Sequence, residues 1–101
     1  MKIKDVDLGE YPIILAPMED VTDPPFRTLC REWGADMSYS EFISADGLIR
    51  NAAKSLVKLD IEEGERPVGI QIFGANADSM REATQMIASL SRLPDVLDIN
   101  F

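Results

Sequence analysis

Histidine is absent from the 101 residues, and cysteine occurs once, at Cys30. A single thiol excludes an internal disulfide, and without histidine it also excludes the usual zinc-binding sets. The lack of histidine removes the commonest general base as well. Basic residues are few, 10 against 18 acidic ones, for a formal net charge of −8, and no block of Lys or Arg offsets it. Such a surface repels phosphates, so this segment alone is a poor nucleic-acid binder. Long apolar runs are missing too. The stretch Ile13-Ile14-Leu15-Ala16-Pro17-Met18 is far too short to cross a bilayer. The start, Met1-Lys2-Ile3-Lys4-Asp5, has no apolar core of a signal peptide. These absences predict a cytoplasmic protein with no membrane partner.

What is present fits a folded core: 46% hydrophobic and 28% charged residues argue against disorder. There is no internal repeat or low-complexity stretch. Residues 2–10 alternate weakly and read as a short hairpin. Ile13 to Ala16 reads as a buried strand that stops at Pro17, since proline cannot donate to a sheet ladder. Asp23 is placed to cap a helix that begins at Pro24. Phe26, Leu29, Cys30 and Trp33 share one face of that helix, and Gly34 ends it. Met37 to Ser44 reads as a second strand. Asp46 to Leu59 reads as a short helix plus connector, and Glu62 to Arg66 as a solvated, charged turn. Pro67 to Phe73 is a third strand. Asn76 caps a clear helix whose core stripe is Met80, Ala83, Ile87 and Leu90. After Pro94, Val96 to Phe101 is a fourth strand. Strict strand–helix alternation predicts an α/β fold with parallel strands and right-handed crossovers.

Active groups in barrels of this kind lie at the C-terminal ends of strands. Side chains two apart on a strand share a face, so Gly69, Gln71 and Phe73 point together, as do Asp98 and Asn100. Polar side chains inside apolar strands need partners, and a polar ligand at the barrel mouth is one source of them. Structural readings stand beside this one. Gln71 and Asn100 can bond loop backbone, Asp98 can cap a loop or pair with an arginine, and Glu41 can be satisfied by backbone amides. Pro17-Met18 can be an ordinary strand terminator, and Cys30 a packing thiol.

Four segments together resemble the tRNA-dihydrouridine synthase family: Leu15-Ala16-Pro17-Met18-Glu19-Asp20-Val21-Thr22-Asp23, Ser40-Glu41-Phe42, Val68 to Gly74, and Asp98-Ile99-Asn100-Phe101. They occur in the family's order and spacing. One departure is Asp20, where many members carry glycine. The resemblance implies a partial (β/α)₈ TIM barrel, roughly its first four parallel strands with an N-terminal hairpin, filling residues 1–101 with no separate second domain. A complete barrel takes about 250 residues. It further implies that Ala16, Pro17 and Met18 line flavin mononucleotide (FMN), and that Gln71 bonds the polar edge of its ring. Asn100 would lie near both flavin and target base, and Ser44 near the tRNA. The family reaction reduces uridine in tRNA to 5,6-dihydrouridine, with NADPH as reductant and a cysteine as proton donor. That cysteine would fall just after Phe101, so no catalytic residue and no metal ligand is expected within the chain. By itself the chain is then expected to be inactive, with no tRNA contact of its own. Alternatives are another FMN-dependent barrel, such as a dihydroorotate dehydrogenase relative, or a non-catalytic half-barrel that self-associates through exposed edges.

Overall fold

The computed structural model describes residues 1–100. Strands β1 (Lys2–Ile3) and β2 (Val6–Asp7) form an antiparallel hairpin. The remaining strands make one parallel sheet: β3 (Ile14–Leu15), β4 (Met37–Tyr39), β5 (Ile43–Ser44), β6 (Val68–Phe73) and β7 (Val96–Asn100). Helices α1 (Pro24–Glu32), α2 (Ala45–Ile49), α3 (Ala53–Val57) and α4 (Ala77–Ala88) fill the crossovers. The expected α/β order, the parallel strands and the antiparallel hairpin are all present. Phe101, read as the end of the last strand, lies outside the described residues.

The helix boundaries follow local chemistry. Asp23 caps α1 by accepting from the Phe26 N–H at 3.0 Å, and Pro24 and Pro25 occupy the first positions. Gly34 ends the helix at φ +109°, a conformation open to glycine. Asn76 caps α4, accepting from the N–H groups of Asp78 and Ser79. The core lies between α2, α4 and the helix-facing side of β6. Val68, Ile70, Ile72, Ala83, Ile87, Leu48 and Ile43 are fully or almost fully buried there, and Met80 and Leu90 pack against them. The α4 stripe therefore points inward as its spacing predicts.

Five expectations need correction. Ile13 to Ala16 is not a buried strand: only Ile14–Leu15 pairs, both residues are half-buried at the sheet edge, and Ile13 is 67% exposed. The span Met37 to Ser44 is not one strand. Tyr39 pairs with Gly69 and Ile43 with Ile72, so the chain takes four steps while β6 takes three. One additional residue makes a bulge between β4 and β5. Ser40 fills the gap: its N–H donates to the Gly69 carbonyl at 2.8 Å, and its hydroxyl oxygen accepts from the Gln71 N–H at 3.4 Å. Nor is Asp46 to Leu59 one helix with a connector. It is two short helices, with Asn51 between them at φ +56°, a left-handed conformation that asparagine tolerates.

The apolar face assigned to α1 is also not buried. Leu29 is 50% and Trp33 85% exposed, whereas Arg27 on another face is 1% exposed. The spacing of Phe26, Leu29, Cys30 and Trp33 is helical, but the sheet and the turn at Glu63–Glu65 meet the Arg27 side. Finally, Glu65 does not sit in a solvated loop. It is completely buried and forms an ion pair with the Arg27 guanidinium.

Every nitrogen and oxygen atom of that pair is engaged. Arg27 Nη2 donates to Glu65 Oε2 at 3.1 Å and to the Asp60 carbonyl at 2.9 Å. Its Nη1 donates to the Thr22 carbonyl at 2.8 Å, and Glu65 Oε2 accepts from the Glu62 N–H at 3.0 Å. The pair thus ties α1 to the turn that launches β6. Removing one partner leaves a buried, uncompensated charge. Arg27→Met or Glu65→Leu alone is expected to lower the unfolding free energy by about 3–5 kcal/mol, and the double replacement by less than either. Urea denaturation of the three variants reads this directly.

Candidate active site

On β6 the side chains alternate. Val68, Ile70 and Ile72 enter the helix-side core, which turns Gly69, Gln71 and Phe73 to the opposite face, the interior of the curved sheet. β7 lies beside β6 in register, Gln71 opposite Asp98 and Phe73 opposite Asn100. β4 and β5 flank the other side, with Tyr39 opposite Gly69 and Ser44 opposite Phe73.

Tyr39 lies over Gly69. A Cβ at that glycine would stand 2.5 Å from the tyrosine ring, so only glycine permits the stacking. Next along β6, the Gln71 side-chain nitrogen donates to Asp98 Oδ2 at 2.7 Å. The Gln71 side-chain oxygen is buried and has no hydrogen-bond partner among the described residues. The Tyr39 phenol is held above its ordinary value of 10.0, first because burial disfavours the phenolate and then because the Asp98 charge repels it. Tyr39, Gln71 and Asp98 form a polar patch in an otherwise apolar interior. Asp98 is therefore neither a loop cap nor an arginine partner, since its bond is to Gln71.

Beyond this patch, toward the strand ends, an open cleft of about 570 Å³ is lined by Phe42, Ser44, Asp46, Phe73, Gly74, Ala75 and Asn100. Phe42 and Phe73 meet edge to face with ring centres 5.8 Å apart. The cleft brings together Ser44 and Asn100. It does not include Ala16, Pro17, Met18 or Gln71. Gln71 lies two residues before Phe73 on the same face, and Ala16 to Met18 follow β3, which is separated from β6 by β4. Ser44 also caps α2, its hydroxyl oxygen accepting from the Gly47 N–H at 3.2 Å, so part of its bonding capacity is structural.

The loop after β3 is held firmly. Thr22 is fully buried, and its hydroxyl accepts from the Met18 N–H at 3.0 Å and donates to the Met18 carbonyl at 3.2 Å. Both backbone groups of Met18 are thus engaged, and what it offers a ligand is its side chain, 37% exposed. Asp20 adopts φ +60°, the left-handed conformation that explains a glycine preference there and that aspartate also tolerates. Glu41 accepts from the Asp20 N–H, the backbone role weighed for it, and Glu19 pairs with Lys58 at 2.7 Å. Oxygens of Glu19, Asp20 and Glu41 approach within 4.8 Å of one another, but two of the three carboxylates already serve these contacts.

Sequence reasoning missed Tyr39. The available signal was an aromatic residue on one strand opposite a glycine on the next. Nor was the Gln71–Asp98 bond foreseen, although both residues stood out as polar breaks in apolar strands.

A family model described as dihydrouridine synthase matches residues 14–101. The chain is 46% identical over 89 residues to a probable tRNA-dihydrouridine synthase of Aquifex aeolicus, covering 88% of this chain and 28% of that protein. It is 39% identical over 99 residues to tRNA-dihydrouridine synthase B of Pseudomonas putida, covering 94% of the chain and 29% of that protein. Against the Vibrio cholerae protein of the same name it is 39% identical over 101 residues, covering 99% of the chain and 30% of that protein. The chain therefore spans about three tenths of the length of these curated relatives. Among the described residues no helix is long and apolar enough to cross a membrane.

The polar patch carries a prediction. In a Tyr11→Phe background Tyr39 is the remaining phenol, so ultraviolet titration follows it alone. Its midpoint is expected above the ordinary phenol value, and Asp98→Asn is expected to lower it. A raised folded-state value means that the neutral phenol favours the fold below the unfolded value. That contribution is lost as pH rises through the folded value, and removing the Asp98 charge narrows the window.

Proposed function

Because the chain belongs to the dihydrouridine synthase family, we propose that it forms the first four strand positions of the FMN-binding TIM barrel of a tRNA-dihydrouridine synthase, with β4 and β5 sharing one position across the bulge. In this reading residues 1–101 are one part of that barrel domain. Within it Ala16, Pro17, Met18, Gln71 and Asn100 contact the flavin. Asn100, with Ser44 at the rim, faces the uridine of the tRNA. The supporting observation is the Gln71 side-chain oxygen, a buried acceptor with no partner among the described residues. Buried polar groups are ordinarily bonded, and the imide edge of a flavin ring offers an N–H to such an acceptor.

The flavin, reduced by NADPH, would supply the hydride for the C5=C6 bond of uridine. The chain's own residues bind and orient. Met18 presents an apolar, polarizable side chain beyond the end of β3. Phe42 and Phe73 form one wall of the cleft into which an extruded base would enter, since the target atoms are inaccessible in a stack. Asn100, with both a donor and an acceptor, is suited to a pyrimidine edge. Affinity for tRNA phosphates would come from a basic surface elsewhere, because these residues carry a net charge of −8. The exposed Ile13 beside the edge strand β3 and Ile99 on β7 are apolar surface for further barrel elements to cover. A second copy of the chain could cover it instead.

The test compares two proteins. Expressed from its complete reading frame, the protein is expected to purify with flavin absorbance in the visible and to convert uridine to dihydrouridine in unmodified tRNA with NADPH. The 101-residue chain alone is expected to be colourless and inactive. Gln71→Leu in the complete protein should weaken FMN binding by about tenfold, the worth of one buried hydrogen bond. A colourless, inactive complete protein would overturn the reading.

A further inference from the structure

We propose that Asp98 is a positioning residue. Its carboxylate fixes the Gln71 amide in one orientation, so that the site presents an acceptor and selects a ring edge bearing an N–H donor. The inference rests on the flavin reading above and extends it to what sets the polarity of the site.

A glutamine amide has two ends, a donor NH₂ and an acceptor oxygen, and half a turn about its last torsion exchanges them. Alone in an apolar interior, Gln71 could present either end. An ionised carboxylate only accepts, so the atom 2.7 Å from Asp98 Oδ2 must be the NH₂ nitrogen. The oxygen is then left buried and unpartnered among the described residues. The register holds this geometry. Gln71 and Asp98 are directly paired on neighbouring strands, so both side chains leave the sheet on the same face. The Gln71 backbone is fixed from the other side by the Ser40 hydroxyl. A bond made for stability alone would not explain why half of the amide lacks a partner. A site whose acceptor waits for a ligand N–H does.

Asp98→Asn keeps the shape and removes the constraint. Asparagine can accept from Gln71 or donate to it, so the pair can turn over together and present the NH₂ instead. Adding Gln71→Glu to Asp98→Asn restores an acceptor, because the new carboxylate takes the asparagine NH₂ and turns its second oxygen to the site.

The experiment uses the protein from its complete reading frame and two probes, FMN and N3-methyl FMN, with binding followed by flavin fluorescence. The side-chain amide of Gln71 is followed by nitrogen NMR without flavin. The parent protein is expected to prefer FMN by about tenfold, one hydrogen bond's worth, and to show one set of Gln71 amide signals. Asp98→Asn should nearly abolish the preference and split or average the signals. The double variant Asp98→Asn with Gln71→Glu should recover the preference. A purely structural role for Asp98 predicts weaker binding of both probes with the preference intact, and that result would overturn the proposal. If the parent protein binds neither probe, the flavin reading fails separately. The amide signals then decide the orientation: identical spectra in parent and Asp98→Asn protein would sink it.

Discussion

Strand β6 is paired along both edges, and the rest of the fold is arranged around its period of two. Every second residue, Val68, Ile70 and Ile72, is driven into the helix-side core by the removal of apolar surface from water. The intervening residues have no freedom about where they point. Gly69, Gln71 and Phe73 face the interior because their neighbours cannot. A polar side chain in the middle of such a strand inherits its position from hydrophobic packing, which is dense and barely compressible. β6 is also the strand on which β4, β5 and β7 all align, so the residues opposite one another across those pairings are set by the same constraint.

What the sequence made legible was local. Asp23 before Pro24, Asn76 before α4, Gly34 after α1 and the stripe on α4 act within a few residues of themselves, and all were readable in order. The family segments located the strand ends. Gln71 and Asn100 stood out because an amide in an apolar strand must be accounted for. What stayed hidden was long-range. Arg27 and Glu65 are separated by 38 positions, and each looks like a surface charge in its own neighbourhood. Only the tertiary fold shows that one neutralises the other. The same holds for the apolar face of α1, where a periodic pattern names a face but not what lies against it. Asp98 offered several partners on paper, and register alone chose Gln71.

The β3–α1 loop shows how an irregular segment is kept in place without secondary structure. Thr22 closes both polar groups of Met18, Glu41 reaches back to the Asp20 amide, and Lys58 from the end of α3 holds Glu19. Two separate elements, the β4–β5 bulge and the end of α3, therefore hold one loop that Thr22 braces from within. A disturbance in α3, which contributes nothing to the cleft directly, would be felt at Pro17 and Met18 through Glu19.

The bulge between β4 and β5 makes chain length itself a determinant of the fold. Tyr39 lies on the interior side over Gly69, and with ordinary alternation Ile43, an even number of steps later, would lie there too. The inserted residue reverses the parity, so Ile43 enters the helix-side core and Ser44 reaches the cleft and the start of α2. The three residues 40–42 thus occupy the space of two on β6, and the surplus one is what the bulge absorbs. A one-residue deletion there would leave three steps against three, so Ile43 would still arrive opposite Ile72 on the helix side, but the bridge that the extra residue lets Ser40 make to the Gly69 carbonyl and the Gln71 amide would be forfeited.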